Sequence, residues 1–329
     1  MEDVRIPRRA ALAAAGLAAL VPLHRARAQQ YPDRPIKWIV AYAAGGGTDT
    51  LARVLGAAMS PKLGQPVVID NRPGAATNIG AEATAKATPD GYTVFSADNG
   101  TLVFNPALFR RLPYNPERDF RMVGLMARFP LVLTVKQDSA FRGARDLVEA
   151  AKAKPGQIDY GSPGVGSPHH LTMERLSKEA GVRFNHVPYR GAAPALNDLL
   201  AGTFESMILD LPSGAEYLRS GRVKPLAICS AARHPDLPDV PTVQEALGLR
   251  GFEAYAWQGL VVPARTPDAV VSRLTTELAA AVRDQSVTDK MRGIGLEPLT
   301  GGPDEFKALI EAERAVWVPL IKERGITLD

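Results

Sequence analysis

From Ile36 onward, short runs rich in β-branched and aromatic residues alternate with longer amphipathic stretches, and this alternation restricts the fold more than any other feature of the chain. Such a pattern is that of an α/β protein whose parallel strands are covered by helices. Strands are expected over residues 36–42, 67–69, 92–97, 131–135, 158–161, 185–187, 205–209 and 223–229. Helices are expected over 48–63, 79–87, 144–153, 168–180, 192–200, 214–219, 267–282, 287–294 and 303–324. Two further strand-like runs lie at 252–255 and 259–262. Gly45-Gly46-Gly47, Gly64 and Pro89-Asp90-Gly91 punctuate the first elements.

The 329 residues, 46% of them hydrophobic, suffice for about two domains of roughly 150 residues each. No Pro/Gly-rich linker divides the chain into sequential domains. That favours lobes built from interleaved segments, with crossings near Phe129-Leu131 and Ala254-Trp257. Residues 29–130 plus 255–329 then form one lobe and 131–254 the other.

The first 28 residues have the pattern of a cleaved export signal. A basic segment ends in Arg8-Arg9, an apolar run follows to Leu23, and Ala26-Arg27-Ala28 offers a small-residue cleavage site. The apolar run is shorter than the ~20 residues needed to span a bilayer as a helix. The mature chain is expected to begin at Gln29 in the periplasm. Arg8-Arg9 permits a twin-arginine route, although no hydroxyl residue precedes the pair. Five arginines against Glu2 and Asp3 place three of the chain's +4 charges in this segment, leaving +1 on the rest. With no basic stripe carrying interleaved aromatics, nucleic acid is not an expected partner. The single Cys229 cannot form an internal disulfide and is read as core, as is Trp317. Since no cysteine stands at the cleavage point, the product is not expected to be a lipoprotein.

Two glycine-rich turns carry the functional signal. Ala43-Ala44-Gly45-Gly46-Gly47-Thr48-Asp49 joins an expected strand to an expected helix, and Gly161-Ser162-Pro163-Gly164-Val165-Gly166-Ser167 does the same before Pro168. Glycines let backbone approach a ligand closely. Helix starts add unpaired N–H groups and the positive end of the helix dipole. Each turn alone reads equally well as a capped strand-to-helix connection, with Thr48, Asp49 or Ser167 as the cap. Together, two anion-capable helix starts from separate halves of the chain can hold one ligand across a cleft. The first turn lacks the lysine of a P-loop and the spacing of a dinucleotide fingerprint, which argues against a nucleotide.

Catalytic readings are weaker. Tyr160-Gly161-Ser162-Pro163-Gly164 lacks the first glycine of a nucleophile elbow, so Ser162 is not assigned as a nucleophile. His169 and His170 are adjacent and point in different directions on a helix; no histidine pair has zinc-site spacing. His170 is expected to donate a hydrogen bond near the second turn. No catalytic residue, metal or cofactor is assigned. Asn99, in Asp98-Asn99-Gly100-Thr101, either lines the cleft or makes a plain turn. Asp210 follows an apolar strand run and either points into a crevice or caps the segment from Pro212. Arg190 is read as a solvated cation or a balance for an acidic ligand.

A series of motifs in order resembles the receptors of tripartite tricarboxylate transporters, the Bug-type periplasmic binding proteins. They include Tyr31-Pro32-Asp33-Arg34-Pro35-Ile36, Gly45-Gly46-Gly47-Thr48-Asp49, Asn71-Arg72-Pro73-Gly74-Ala75, Asn78-Ile79-Gly80-Ala81, Pro89-Asp90-Gly91-Tyr92, Val187-Pro188-Tyr189-Arg190-Gly191 and Leu237-Pro238-Asp239-Val240-Pro241-Thr242. The resemblance runs from about residue 31 to the end of the chain. It implies a type II periplasmic-binding-protein fold, two α/β lobes with a central ligand cleft, and a small organic acid as ligand. It also implies that a carboxylate is held by the segments 45–49 and 162–170, largely through backbone N–H groups and ordered water, and that the partners are a large and a small integral membrane subunit. The ligand-binding set expected here is Tyr42, Gly46, Gly47, Thr48, Asp49, Asn99, Ser162, Gly166, Ser167, His170 and Asp210, in a monomer. A ligand-sensing adaptor that signals to a membrane sensor is the alternative in the same fold. Two departures from the family pattern stand out. Tyr42-Ala43-Ala44 replaces a Pro-Pro-rich approach, and Ile208-Leu209-Asp210 moves an acidic residue by one position before Leu211-Pro212-Ser213.

Overall fold

The computed structural model describes residues 31–328, so the signal-peptide reading of residues 1–28, with cleavage after Ala28, lies outside the described residues. Among the described residues the strands are β1 Ile36–Val40, β2 Val67–Asn71, β3 Thr93–Asp98, β4 Phe120–Lys136, β5 Asp159–Ser162, β6 Asn185–Pro188, β7 Ser206–Asp210, β8 Val223–Ile228, β9 Tyr255–Pro263 and β10 Glu297–Pro298. The helices are α1 Gly47–Leu63, α2 Asn78–Ala85, α3 Asn105–Leu108, α4 Pro116–Asp119, α5 Ala144–Ala153, α6 Pro168–Glu179, α7 Ala192–Ala201, α8 Leu211–Arg219, α9 Val243–Leu247, α10 Asp268–Arg283, α11 Gln285–Gly293 and α12 Pro303–Glu323. A π-helical turn, Gly100–Phe104, leads from β3 into α3.

The strands join in the order β2-β1-β3-β9-β4-β7-β5-β6, with β10 and β8 paired to β4 off this path. Strands β1, β2 and β3 are parallel to one another, as are β5, β6 and β7. The expectation of wholly parallel sheets is corrected in the middle of the molecule. There β9 runs antiparallel to β3 and β4, and β4 runs antiparallel to β7 and β8. These central strands carry the chain from one half to the other without a strand–helix–strand crossover, so nothing holds them parallel.

Strand β4 is the spine. From Phe120 to Pro130 it pairs with β9, ending at Pro130↔Tyr255; from Leu131 it pairs with β7, beginning at Leu131↔Asp210. Sequence pattern revealed only its last third, because Arg121, Gly124, Arg128 and Pro130 interrupt the apolar run. The two strand-like runs at 252–255 and 259–262 are likewise corrected to the single strand β9. Gln258, which separates them, is a buried strand residue.

One apolar cluster packs Trp38, Leu51, Leu55, Val94 and Leu260 between the sheet and its α1 and α10 cover. A larger one follows β4 through both halves, from Phe120 to Val135, and takes in Trp257, Phe306 and Trp317. Both halves therefore share buried side chains along the strand that joins them. Trp317 and Cys229 are buried, and burial pushes the Cys229 thiol up to about 12. Gly161 in β5 lets the Phe204 ring lie directly on the strand, since a Cβ there would fall 2.1 Å from the ring. Among the described residues no helix is long and apolar enough to cross a membrane.

Candidate functional site

The first turn leaves β1 at Val40 and enters α1 at Gly47. Gly46 is the N-cap and supplies no side-chain cap, so the first N–H groups of α1, from Gly47 to Asp49, stay uncapped at the positive end of the helix. Asp49, one of the expected ligand contacts, is engaged within the turn. Its carboxylate accepts from the Gly45 N–H (2.8 Å), Arg53 Nε (2.9 Å) and Asn71 Nδ2 (2.9 Å). Burial alone would raise its pKa, but these donors outweigh burial and hold it below the usual carboxylate value. Asp49 therefore braces the turn. Thr48 Oγ1 accepts from Gln258 Nε2 at 3.2 Å, which leaves the Thr48 hydroxyl proton for a different acceptor.

Next to this turn, Tyr42 donates its hydroxyl to the Asp98 carboxylate, which also accepts from the N–H and the hydroxyl of Thr101, each at 2.7 Å. Burial, reinforced by the Asp98 charge, keeps the Tyr42 phenol protonated well above its ordinary value. Asn99 is fully buried; its Nδ2 donates to the Tyr255 carbonyl at 3.1 Å. Beside Thr101, residues Ala75, Ala76 and Thr77 all adopt positive φ, an unfavourable run for side chains other than glycine. Asn105 Nδ2 ties it down at the Ala76 carbonyl (2.7 Å), and Thr77 Oγ1 meets Thr101 Oγ1 at 2.9 Å.

The second turn closes on itself. Ser167 caps α6 by accepting the His170 N–H at 3.2 Å, and the Gly166 N–H donates to His170 Nδ1 at 3.0 Å. His170 was expected to donate near this turn; with Nδ1 as acceptor, the proton of the neutral ring sits on Nε2. The His170 ring stacks on His186 at 4.0 Å, and His186 stacks on Tyr160 at 4.8 Å. His186 Nε2 lies 2.6 Å from Ser162 Oγ, which also bridges the N–H and carbonyl of Gly164 at 3.2 Å each. Burial, then the neighbouring His186, lowers His170 to about 3; burial lowers His186 to about 4. Both rings are thus uncharged at neutral pH, and Ser162 and His170 shape the turn from beneath.

A third segment completes the ring. Asp210 ends β7 and caps α8, accepting the Ser213 N–H at 2.9 Å, so both sequence readings of Asp210 meet in one residue. Its other oxygen lies 3.0 Å from His169 Nε2. Burial opposes ionisation, yet the His169 bond and the Ser213 N–H hold its pKa below the usual value. Gly47 comes close to Pro212, which places the first turn beside this segment. A Cβ on Gly47 would lie 3.0 Å from the Phe129 ring and 3.1 Å from Pro212; one on Gly166 would lie 2.5 Å from Leu108. Each glycine turn thus abuts the opposite half of the molecule, and His169–Asp210 links the second turn to the segment that meets the first. His169, His186 and Gln258 were not among the expected site residues. Only Gln258 left a usable trace, as a lone polar residue between two apolar strand-like runs. Arg190 is exposed.

Residues 51–326 match the family described as tripartite tricarboxylate transporter family receptor. The chain belongs to that family. It is a solute-binding receptor, as the motif series implied, and its fold is the two-lobed one of periplasmic binding proteins. A relative from Pseudomonas sp. strain P51, described as the UPF0065 protein in the tcbD-tcbE intergenic region, is 40% identical over 97% of this chain and 95% of its own length. The Rhodopseudomonas palustris protein Rpa4515, solved with adipate, superposes with a TM-score of 0.84 at 37% identity over 90% of this chain and 99% of that one. MatC from the same organism, solved with malate, gives a TM-score of 0.80 at 31% identity over 88% of this chain and 100% of that one.

Proposed function

We propose that this receptor captures a small carboxylate between its two lobes and delivers it to integral membrane transporter subunits. The observation that carries the reading is the uncapped start of α1. Three N–H groups and the Thr48 hydroxyl proton converge there on the positive end of a 17-residue helix. Relatives solved with adipate and malate support a carboxylate as the ligand class.

In this reading Gly46, Gly47 and Thr48 hold the carboxylate and Asp49 braces the turn that presents them. Ser167 contributes the hydroxyl proton that remains after its cap bond, and Gly166, Ser162 and His170 shape the second turn. Tyr42, Asn99 and Asp210 line the wall beside the carboxylate. The lobes are residues 29–130 with 255–329, and 131–254. The exchange of β4 partners between Pro130 and Leu131, and the start of β9 at Tyr255, support that division and a hinge at these two crossings. Closure about this hinge buries the ligand and presents one face of both lobes to the membrane partner. The receptor acts as an exported, periplasmic monomer after removal of residues 1–28, and it performs no chemistry on its ligand.

Thermal unfolding of the purified mature protein across a panel of organic acids tests the reading. An acid at 100 times its Kd stabilises by ~2.7 kcal/mol. A panel in which no carboxylate shifts the midpoint removes the proposal, and turnover of a stabilising acid removes the non-catalytic part of it.

A further inference from the structure

Three buried polar atoms around the site have no hydrogen-bond partner within the protein: Gln258 Oε1, Asn99 Oδ1 and His169 Nδ1. The two amide oxygens can only accept. Gln258 gives its Nε2 to Thr48, Asn99 gives its Nδ2 to the Tyr255 carbonyl, and His169 turns Nε2 toward the Asp210 carboxylate at 3.0 Å. Gln258 and Asn99 are 3% and 0% exposed, so bulk water does not reach them freely. A buried acceptor left without a donor is costly, and native structures seldom tolerate several in one place.

The three atoms are not scattered. Gln258 bonds the residue that opens α1, Asn99 follows the end of β3, whose Asp98 is in register with Gln258, and His169 stands on the facing half beside Asp210. One end of the site therefore offers donors, at the start of α1. Its wall offers acceptors.

Resting on the carboxylate reading above, we infer that the ligand is an acid that also carries a hydrogen-bond donor on its carbon skeleton, a hydroxyl or an ammonium, read by Gln258 and Asn99. A plain saturated acid fills the carboxylate position but leaves these acceptors unanswered. Discrimination of this kind is strong because the penalty falls on the site and not only on the missing contact. Gln258 has a double part: its amide nitrogen directs the Thr48 proton toward the carboxylate, and its oxygen selects the donor.

Calorimetric titration of the purified mature protein with matched pairs tests this: malate against succinate, lactate against propionate, and aspartate against succinate for the ammonium. The donor-bearing member of at least one pair is expected to bind about tenfold tighter or more. In Gln258→Leu that ratio is expected to fall to about twofold, whatever happens to the affinity of both members together. Gln258→Met, nearer in length, replaces it should the leucine variant not fold. Equal affinity within every pair, with acids bound, overturns the inference and leaves the carboxylate reading standing. A ratio that survives in Gln258→Met and in Asn99→Ala also overturns it. If no acid binds, both fall. Preference for aspartate alone assigns the donor as ammonium, and preference for malate or lactate as hydroxyl.

Discussion

Gly45–Thr48 and Gly161–Ser167 are both glycine-rich passages from a strand into a helix, yet they end in opposite states. The first leaves the start of α1 without a side-chain cap, while the second is capped by Ser167 and tied to His170 through the Gly166 N–H. The bracing differs as well. Asp49 holds the first turn with a charge; two uncharged, stacked histidines hold the second from within. An anion is attracted to N–H groups that the protein leaves unpaired, so in the proposed reading the first turn is the primary anion site. In the same reading the second is a shaped wall, with the Ser167 proton as its contribution.

Four measurements can break or sharpen this contrast. Gly47→Ala is expected to have the largest effect, weakening acid binding about 30-fold. Its methyl would meet Phe129 of its own half at 3.0 Å and Pro212 of the opposite half at 3.1 Å, and such overpacking costs about 2 kcal/mol. Calorimetry reads the affinity, and an unfolding midpoint within a few degrees of the parent separates a closure defect from a folding one. Unchanged affinity would mean that the first turn does not sit at the closing contact.

The second measurement is pH. Folded His170 and His186, at about 3 and about 4, lie below the ordinary histidine value of about 6.5. The unfolded chain therefore binds protons first as pH falls, so their contribution to stability is complete above about 6.5 and declines as pH drops toward 4. For the more buried His170 the loss between pH 7 and pH 5 is on the order of 2 kcal/mol. Denaturant midpoints across that range should fall, and should fall less in His170→Gln. The lowered carboxyls Asp49 and Asp210 lose their contribution only at more acid pH, which keeps the two effects apart.

Thr48→Ala comes third, with acid affinity down about tenfold and little change in stability, since a hydrogen bond to a charged group is lost. Ser167→Ala is expected to be smallest for binding, about threefold. It should lose about 1 kcal/mol of stability with the cap of α6. Equal affinity losses in the two variants would erase the asymmetry between the turns.

Much of this molecule is legible along the chain. Helix α5 matches its expected span of 144–153, and α1, α6, α10 and α12 each fall within a residue or two, because amphipathic periodicity and Gly or Pro boundaries are local signals. Both glycine turns and Asp210 stand out for the same reason. What stayed hidden is non-local. Phe120–Pro130 and the run through Gln258 look irregular because buried central strands need no alternation, and only their partners reveal them. His169 and His170 are neighbours with the same side chain. Helix geometry turns one toward Asp210 and the other onto His186, and nothing in their local sequence says which.

The sequence by itself determined the α/β class, the two turns able to meet an anion, and the receptor family. Those features rest on spacing within short segments. Tertiary structure decided which helix start stays uncapped, that Asn71 joins Gly45 and Arg53 on the Asp49 carboxylate, and that Gln258 holds Thr48 from 210 positions away. Hydrogen-bond satisfaction in a buried wall depends on groups brought together by the fold, and chain order carries no record of which donors find which acceptors.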